Sequence, residues 1–421
     1  MKFSYRKDVL ANGVRVVSEA SKDSGSVSIG FWLGVGSSLE PPALAGASHF
    51  IEHILFKGTT RRSAFDIANA LESVGGSLDA FAGRENTAYV ARCLSDHVAR
   101  AVDVIGDMLS RPAMKPKDIE LEKKVIFEEI RSLEDTPEDV AHELLAASVW
   151  KSHPVGKSVL GTTRTVGSFT RDKIWPYFRS NYVAPNTIVA ASGRVDHDLL
   201  VEAVSRKLKI PAKCRPPAGE AFKSGVARVA NATRKVSQCY ICLGVEAPAY
   251  ADERRHAGML LSLILGGGMT SRLFQRVREQ EGLAYTVYSS CEFYKSTGIF
   301  YIFLAVDPKR ARTAVGRVAK EIRRLKAQGL ARGELNSVKQ QLSCGLLLGL
   351  ESSAARMNRL ARHEIYLKGY RSVGASLRDI DRVKADDVLE EARLLLRPSR
   401  LSLVTVGPAS TDFPTESDLS S

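Results

Sequence analysis

Residues His49-Phe50-Ile51-Glu52-His53 place two imidazoles and a carboxylate in the order H-x-x-E-H. On an α-helix, positions four apart lie on one face, so His49 and His53 stand one turn apart and can share a single metal ion. Glu52 falls on the same side of the helix, within reach of a water on that metal. Zinc lowers the pKa of such a water to about 7, and a neighbouring carboxylate can then take its proton. The flanking sequence suits a helix: Leu44 to Phe56 lacks proline, Pro41-Pro42 precede it, and Gly58 stands at a C-cap position. Ile51, Ile54 and Leu55 lie away from the histidines, so the helix is apolar behind and polar in front. A five-residue pattern by itself leaves chance association open.

A catalytic zinc takes three protein ligands and keeps one open position. A second helix is expected over Pro116 to Leu133, with Pro116 in its first turn and Ile119, Ile126, Ile130 and Leu133 as its apolar stripe. Glu128 points away from that stripe, toward solvent. Glu122 and Glu129, two turns apart, share a face that borders the stripe next to Val125. Carboxylates on the buried side of a helix need partners. Besides a metal, partial exposure or pairing with Lys123 or a distant arginine remains open for both.

HFIEHILFKGT, followed by Glu129 in FEEIRSLEDTPED, resembles the pitrilysin/insulinase family of zinc peptidases, the inverzincins. The nearest likeness is to single-chain bacterial members akin to the β subunit of the mitochondrial processing peptidase, and it covers nearly the whole chain. The resemblance implies that His49, His53 and Glu129 bind one zinc ion per chain, that Glu52 is the general base, and that Glu122 supports the site from behind the ligands. It also implies two homologous α/β-sandwich domains of the LuxS/MPP-like metalloenzyme type, facing each other around a chamber. The activity it implies is metalloendopeptidase cleavage of unstructured peptides or short unfolded segments.

In the second half, GGGMTSRLFQRVREQEGLAYTVYS carries Arg278 and Tyr285, which match an arginine–tyrosine pair that the family brings to the substrate. A guanidinium or a phenol can stabilise the oxyanion built during peptide hydrolysis. An ordinary ion pair of Arg278 with Glu279 or Glu281 is the competing reading. Gly266-Gly267-Gly268 has no P-loop context, so phosphate binding is a poor fit. The family's substrate-pairing edge strand corresponds to SLDAFAGREN, with Asp79, Ala80 and Phe81 at the matching positions; strand addition supplies main-chain affinity with little sequence demand. A place in the sheet interior is the alternative for that segment. The long glycine-rich loop of the processing peptidase's non-catalytic subunit has no counterpart here, so presequence recognition and a general oligopeptidase role are equally open.

The elements that must position these residues follow from periodicity. Asn12-Gly13 signals a two-residue hairpin, Val27 to Leu33 is an apolar strand, and Ser77 to Ala82 and Asn86 to Cys93 are paired strands. The second half repeats the first: a strand at Val236 to Val245, a helix at His256 to Leu265 without a ligand set, paired strands at Leu283 to Glu292 and Gly298 to Ala305, then a helix. This is an internal duplication with one active copy and one degenerate copy. The class is α+β, with helices packed on mostly antiparallel sheets. Domains are expected at 1–210 and 226–407, joined by a proline-rich linker at 211–225 and followed by a disordered tail at 408–421.

Hydrophobic residues make up 44% of the 421 residues and charged residues 25%, as in ordinary globular proteins. No apolar run is long enough to span a membrane, and the N-terminus has no secretory core. Six scattered cysteines suggest reduced thiols and a cytoplasmic setting; Cys239 and Cys242 form a C-x-x-C within a strand, which favours core packing over zinc. The net charge of +13 is spread along helices without interleaved aromatics, so no nucleic-acid partner is expected. The family pattern implies a homodimer, or a pair with a paralogous subunit. A catalytically silent structural or partner subunit is the alternative to an enzyme, as is a metal-binding or lyase protein of similar fold; the intact H-x-x-E-H separates this chain from silent copies.

Overall fold

The computed structural model describes residues 3–151, 153–212, 228–367, 369–409 and 412–420. Its strands are β1 (Ser4–Val9), β2 (Arg15–Ala20), β3 (Ser26–Leu33), β4 (Ser77–Ala82), β5 (Thr87–Leu94), β6 (Thr187–Gly193), β7 (Val229–Thr233), β8 (Cys239–Ala247), β9 (Ala284–Phe293), β10 (Gly298–Val306) and β11 (Ser402–Gly407). Its α-helices are α1 (Ala47–Leu55), α2 (Ala64–Glu72), α3 (Val98–Ser110), α4 (Pro116–Asp135), α5 (Pro137–Val149), α6 (Thr163–Gly167), α7 (Arg171–Asn181), α8 (His197–Lys207), α9 (Arg255–Gly266), α10 (Ala311–Gln328), α11 (Glu334–Gly349), α12 (Ser353–Arg362), α13 (Val373–Arg382), α14 (Ala385–Leu395) and α15 (Glu416–Ser420). No helix among the described residues is long and apolar enough to cross a membrane.

The chain forms two compact units that do not follow its two halves. One comprises Met1–Arg131, Lys157–Glu220 and Leu348–Tyr370; the other comprises Ser132–Gly156, Ala221–Leu347 and Arg371–Ser421. Beyond 211 and 212, the expected linker lies outside the described residues, as does Cys214.

The first unit is built on a six-stranded sheet in the order β1-β2-β6-β3-β5-β4, antiparallel except for β2 and β6. Strands with apolar residues on both faces take the centre: β3 (SVSIGFWL) and β6 (TIVAASG) are buried almost throughout. In β4, by contrast, exposed and half-buried residues alternate, which suits its position at the sheet edge. The β1–β2 hairpin has a three-residue loop where a two-residue loop is expected. Leu10 and Val14 still pair, and Gly13 takes φ +98°. Asn-Gly here closes a turn followed by a left-handed residue, the commonest three-residue solution.

One sheet face packs Ile29, Phe31 and Leu33 against Phe50 and Ile54 of α1 and against Val102, Ile105 and Met108 of α3. The opposite face, with Val17, Trp32, Ala88, Ile188 and Ala190, is covered by Met357, Leu360 and Ala361 of α12. The Trp32 indole N–H also donates to the Met357 sulfur at 3.4 Å.

The second unit repeats this plan with a five-stranded sheet in the order β7-β11-β8-β10-β9, again with one parallel pair, β7 with β11. Helices α9, α10 and α14 cover one face of it. The other face, with Cys242, Phe303, Val404 and Val406, is covered by Val140, Ala141 and Leu145 of α5. Each sheet is therefore sealed by a helix from the other half of the chain. Cys239 and Cys242 are both fully buried but lie in the cores on opposite faces of β8, so this C-x-x-C cannot grip one ion. The segment expected to be a disordered tail instead carries α15, which packs on α10 as α8 packs on α3. Leu419 is buried in that core and Asp418 pairs with Arg312 at 3.2 Å; one leucine in a polar stretch gives no periodic signal.

Met357→Ala should open a cavity under Trp32 and destabilise the first unit by about 2–5 kcal/mol. A lower denaturant midpoint checks this, and an unchanged midpoint would mean that α12 does not seal the sheet. Glu40 accepts from the N–H groups of Gly46 and Ser48, each at 2.6 Å, at the start of α1. Glu40→Ala leaves both donors buried without a partner and should cost about 1–3 kcal/mol, read as a fall in Tm.

Candidate metal centre

Helix α1 is held at both ends. At its start, Gly46 takes φ +91°, and a Cβ there would come within 2.6 Å of the Leu160 carbonyl oxygen, so glycine is required. The buried Glu40 carboxylate caps the helix, and the Ser48 hydroxyl meets the Tyr177 hydroxyl at 3.1 Å. The helix ends at Leu55; Gly58 lies beyond the cap, with φ +131°, where it opens the turn to Arg62. Ile51, Ile54 and Leu55 are fully buried, which turns His49, Glu52 and His53 to the other side.

Helix α4 buries Ile119, Ile126 and Ile130, and this presents Glu122 and Glu129 to α1, while Glu128 stays exposed and pairs with Arg131. Glu129 meets both histidines: its oxygens lie 3.4 Å from His49 Nε2 and 3.6 Å from His53 Nε2. Donors about 2.0–2.1 Å from a tetrahedral zinc are separated by roughly 3.3–3.5 Å, so the spacing fits the ion. His49, His53 and Glu129 are the one such metal-competent group among the described residues. Glu129 Oε2 is buried without a hydrogen-bond partner, as expected of an oxygen reserved for a cation.

His53 Nδ1 lies 3.1 Å from Glu122 Oε1, and the second Glu122 oxygen meets Lys57 Nζ at 2.8 Å. The carboxylate takes the Nδ1 proton as acceptor, which leaves the Nε2 lone pair toward Glu129. Glu122 is 2% exposed, so its partners are His53 and Lys57, not Lys123, which pairs with Glu120. Glu52 Oε2 stands 4.0 Å from His49 Nε2.

The charge states follow. Burial, reinforced by His53, lowers the His49 pKa to about 4, so its imidazole is neutral near pH 7 and free to ligate. Burial also acts to lower the pKa of His53, but the Glu122 hydrogen bond and nearby carboxylates outweigh it, and the net shift is upward. Burial acts to raise the pKa of Glu122, and its bonds to His53 and Lys57 reverse the sign, leaving a firm carboxylate. Burial raises the Glu52 carboxyl against the pull of His53, which makes it a better proton acceptor. The Ala82 backbone N–H bonds to Glu52 and connects its carboxylate to the end of β4.

Of the residues expected to hold substrate, Asp79, Ala80 and Phe81 lie on β4, at the sheet edge and paired with β5. Ala80 packs toward the α1 side, whereas Phe81 turns to the other face and stacks edge-on with Trp32 at 5.2 Å. Arg278 and Tyr285 belong to the second unit. Arg278 lies in the last turn of a wide π-helical segment, Phe274–Gln280, with its guanidinium 4.7 Å from the Phe274 ring and 5.7 Å from the Tyr285 ring. Among the described residues Arg278 forms no ion pair with Glu279 or Glu281, and Glu281 instead pairs with Arg317 at 2.7 Å. Tyr285 is 72% exposed, so its hydroxyl faces outward. Sequence reasoning missed Lys57 and Glu40. Lys57 follows His53 by one helical turn, a spacing that could have found it. Glu40 lies outside α1, and no periodicity points to it.

Two family descriptions match the chain: insulinase (peptidase family M16) over residues 15–163, and peptidase M16 inactive domain over residues 168–342. An uncharacterized zinc protease of Streptomyces coelicolor is 39% identical over 96% of this chain and 90% of its own length. One from Mycobacterium bovis is 37% identical over 96% and 93%, and one from Bacillus subtilis 32% identical over 91% and 94%. The fold matches the crystal structure of a protease from Helicobacter pylori, with TM-score 0.91, 20% identity, and 97% and 100% of the two chains covered. A peptidase M16 inactive domain structure from Pseudomonas fluorescens gives TM-score 0.90 at 20% identity over 98% and 99%. With H-x-x-E-H and Glu129 drawn together on the fold these relatives share, the chain belongs to the M16, insulinase-type family of peptidases.

Proposed function

We propose that the protein is a zinc-dependent metalloendopeptidase that cuts unstructured peptides. The observation that carries this is the meeting of His49, His53 and Glu129 donor atoms at zinc spacing with a buried, proton-seeking Glu52 beside them. One zinc per chain on these three residues would act as a Lewis acid and lower the pKa of a bound water to about 7. Glu52 accepts the proton of the attacking water and returns it to the leaving amine. Its hydrogen bond from Ala82 keeps it facing the end of β4. An extended peptide adds to the free edge of β4, along Asp79, Ala80 and Phe81, by main-chain hydrogen bonds, so folded substrates are excluded and sequence demand is low. Arg278 and Tyr285 serve the substrate as cation and hydroxyl donor; the exposed phenol and its unpaired arginine neighbour support that role. Free thiols at Cys93, Cys239, Cys242, Cys291 and Cys344 agree with a cytoplasmic setting. Pairing with a second copy or a paralogous chain follows the family pattern.

The test is cleavage of an unstructured peptide mixture by wild type and Glu52→Gln at equal zinc content. Removing a general base lowers turnover by about 100–10,000-fold, with zinc retained. A chelator should silence wild type and added zinc restore it. Equal cutting by both proteins would reject Glu52 as base, and no cutting by zinc-loaded wild type would reject the peptidase assignment.

A further inference from the structure

We propose that Lys57 is a positioning residue of the metal centre: its ammonium fixes Glu122, and Glu122 fixes the His53 imidazole and the separation of the two ligand-bearing helices. This rests on the reading of His49, His53 and Glu129 as metal ligands. Glu122 is 2% exposed and is engaged at each oxygen: Oε1 hydrogen-bonds with His53 Nδ1 at 3.1 Å, and Oε2 forms an ion pair with Lys57 Nζ at 2.8 Å. Both partners sit on one face of the same helical run. The Lys57 N–H still bonds to the Ile54 carbonyl at 3.1 Å, so the turn that carries His53 continues to Lys57. The carboxylate from α4 is therefore gripped by the last turn of α1 and the turn that follows it. A carboxylate held at one oxygen can rotate about its terminal torsion; an ion pair at the second oxygen opposes that rotation.

Two consequences meet at the ion. The His53 ring is locked with Nδ1 toward Glu122 and Nε2 toward Glu129. Glu129 lies two turns along α4 from Glu122, so the same clamp sets how far its oxygens stand from both imidazoles. Lys57 is the cation bonded to Glu122 among the described residues; Lys123, its chain neighbour, is engaged with Glu120. The Lys57 side chain is 39% exposed, so its direct share in fold stability is small and its effect should appear at the metal.

The experiment titrates zinc into apo protein against a fluorescent chelator for wild type, Lys57→Met, Lys57→Arg, Glu122→Gln and the Lys57→Met/Glu122→Gln double variant. Thermal unfolding of each apo form is recorded alongside. Partners behind metal ligands change affinity by about 10–100-fold. Glu122→Gln should fall in that range, Lys57→Met should weaken zinc about 10-fold, and Lys57→Arg should stay within about 3-fold of wild type. Lys57→Met should add nothing in the Glu122→Gln background, because its effect passes through that carboxylate. Unchanged zinc affinity in Lys57→Met beside a weakened Glu122→Gln overturns the role of Lys57 and leaves the metal site intact. An equal loss from Lys57→Met in both backgrounds also overturns it. Wild type that takes up no zinc overturns the metal reading itself, and this proposal with it. Should Lys57→Met melt well below wild type, Lys57→Gln with a wild-type Tm decides by the same criteria.

Discussion

Two imidazoles and three carboxylates crowded at one half-buried place can coexist only if each is neutral or faces an opposite partner. That requirement governs this structure. His49 responds to burial by staying neutral, His53 by sharing a proton with Glu122, Glu122 by binding Lys57, and Glu129 by turning both oxygens to the histidines. Such an arrangement tolerates little motion, because a buried polar group that loses its partner costs more than the bond contributes. The surrounding architecture answers this demand. Glu40 fixes the start of α1, the isoleucine stripe of α4 fixes its rotation, and Gly46 lets the chain pass close to Leu160.

What the sequence made legible was chiefly local. H-x-x-E-H declares a helix face, and the isoleucine stripe sorts Glu122 and Glu129 from Glu128, because both patterns follow a 3.6-residue period. Central and edge strands declare themselves through continuous or alternating burial, as β3 and β4 do. What was illegible depends on distant partners. Periodicity marks α5 and α12 as helices but does not say which sheet each covers, and each covers the sheet of the other half. The loop after β1 gained a residue because Asn-Gly serves a three-residue turn as well as a two-residue one. Glu40 and Leu419 act as single anchors, and single residues have no period.

The two units share a strand order apart from the extra β1, yet among the described residues only the first brings together a group that could hold a metal. In α9, the counterpart of α1, the apolar residues Leu260, Leu261 and Ile264 pack the core, and no metal-competent group is found there among the described residues. A shared fold with a donor cluster in one unit only is what separate determinants predict: layer packing needs apolar periodicity, and a metal needs a few donors at fixed spacing. The buried thiols of β8 make the same point, since their spacing suits a metal and their strand places them on opposite faces.

The exchange of α5 and α12 has a consequence for biosynthesis. When the ribosome has made the first half, the sheet of β1 to β6 still lacks α12, and Val17, Trp32, Ala88, Ile188 and Ala190 form an uncovered apolar face. At about 5–20 residues per second, the stretch up to α12 takes roughly 8–30 s to synthesise. During that interval the nascent chain presents a sticky surface, open to non-native association. Folding of the earlier half finishes only near the end of translation, so the His49, His53 and Glu129 cluster is assembled on a scaffold that closes late.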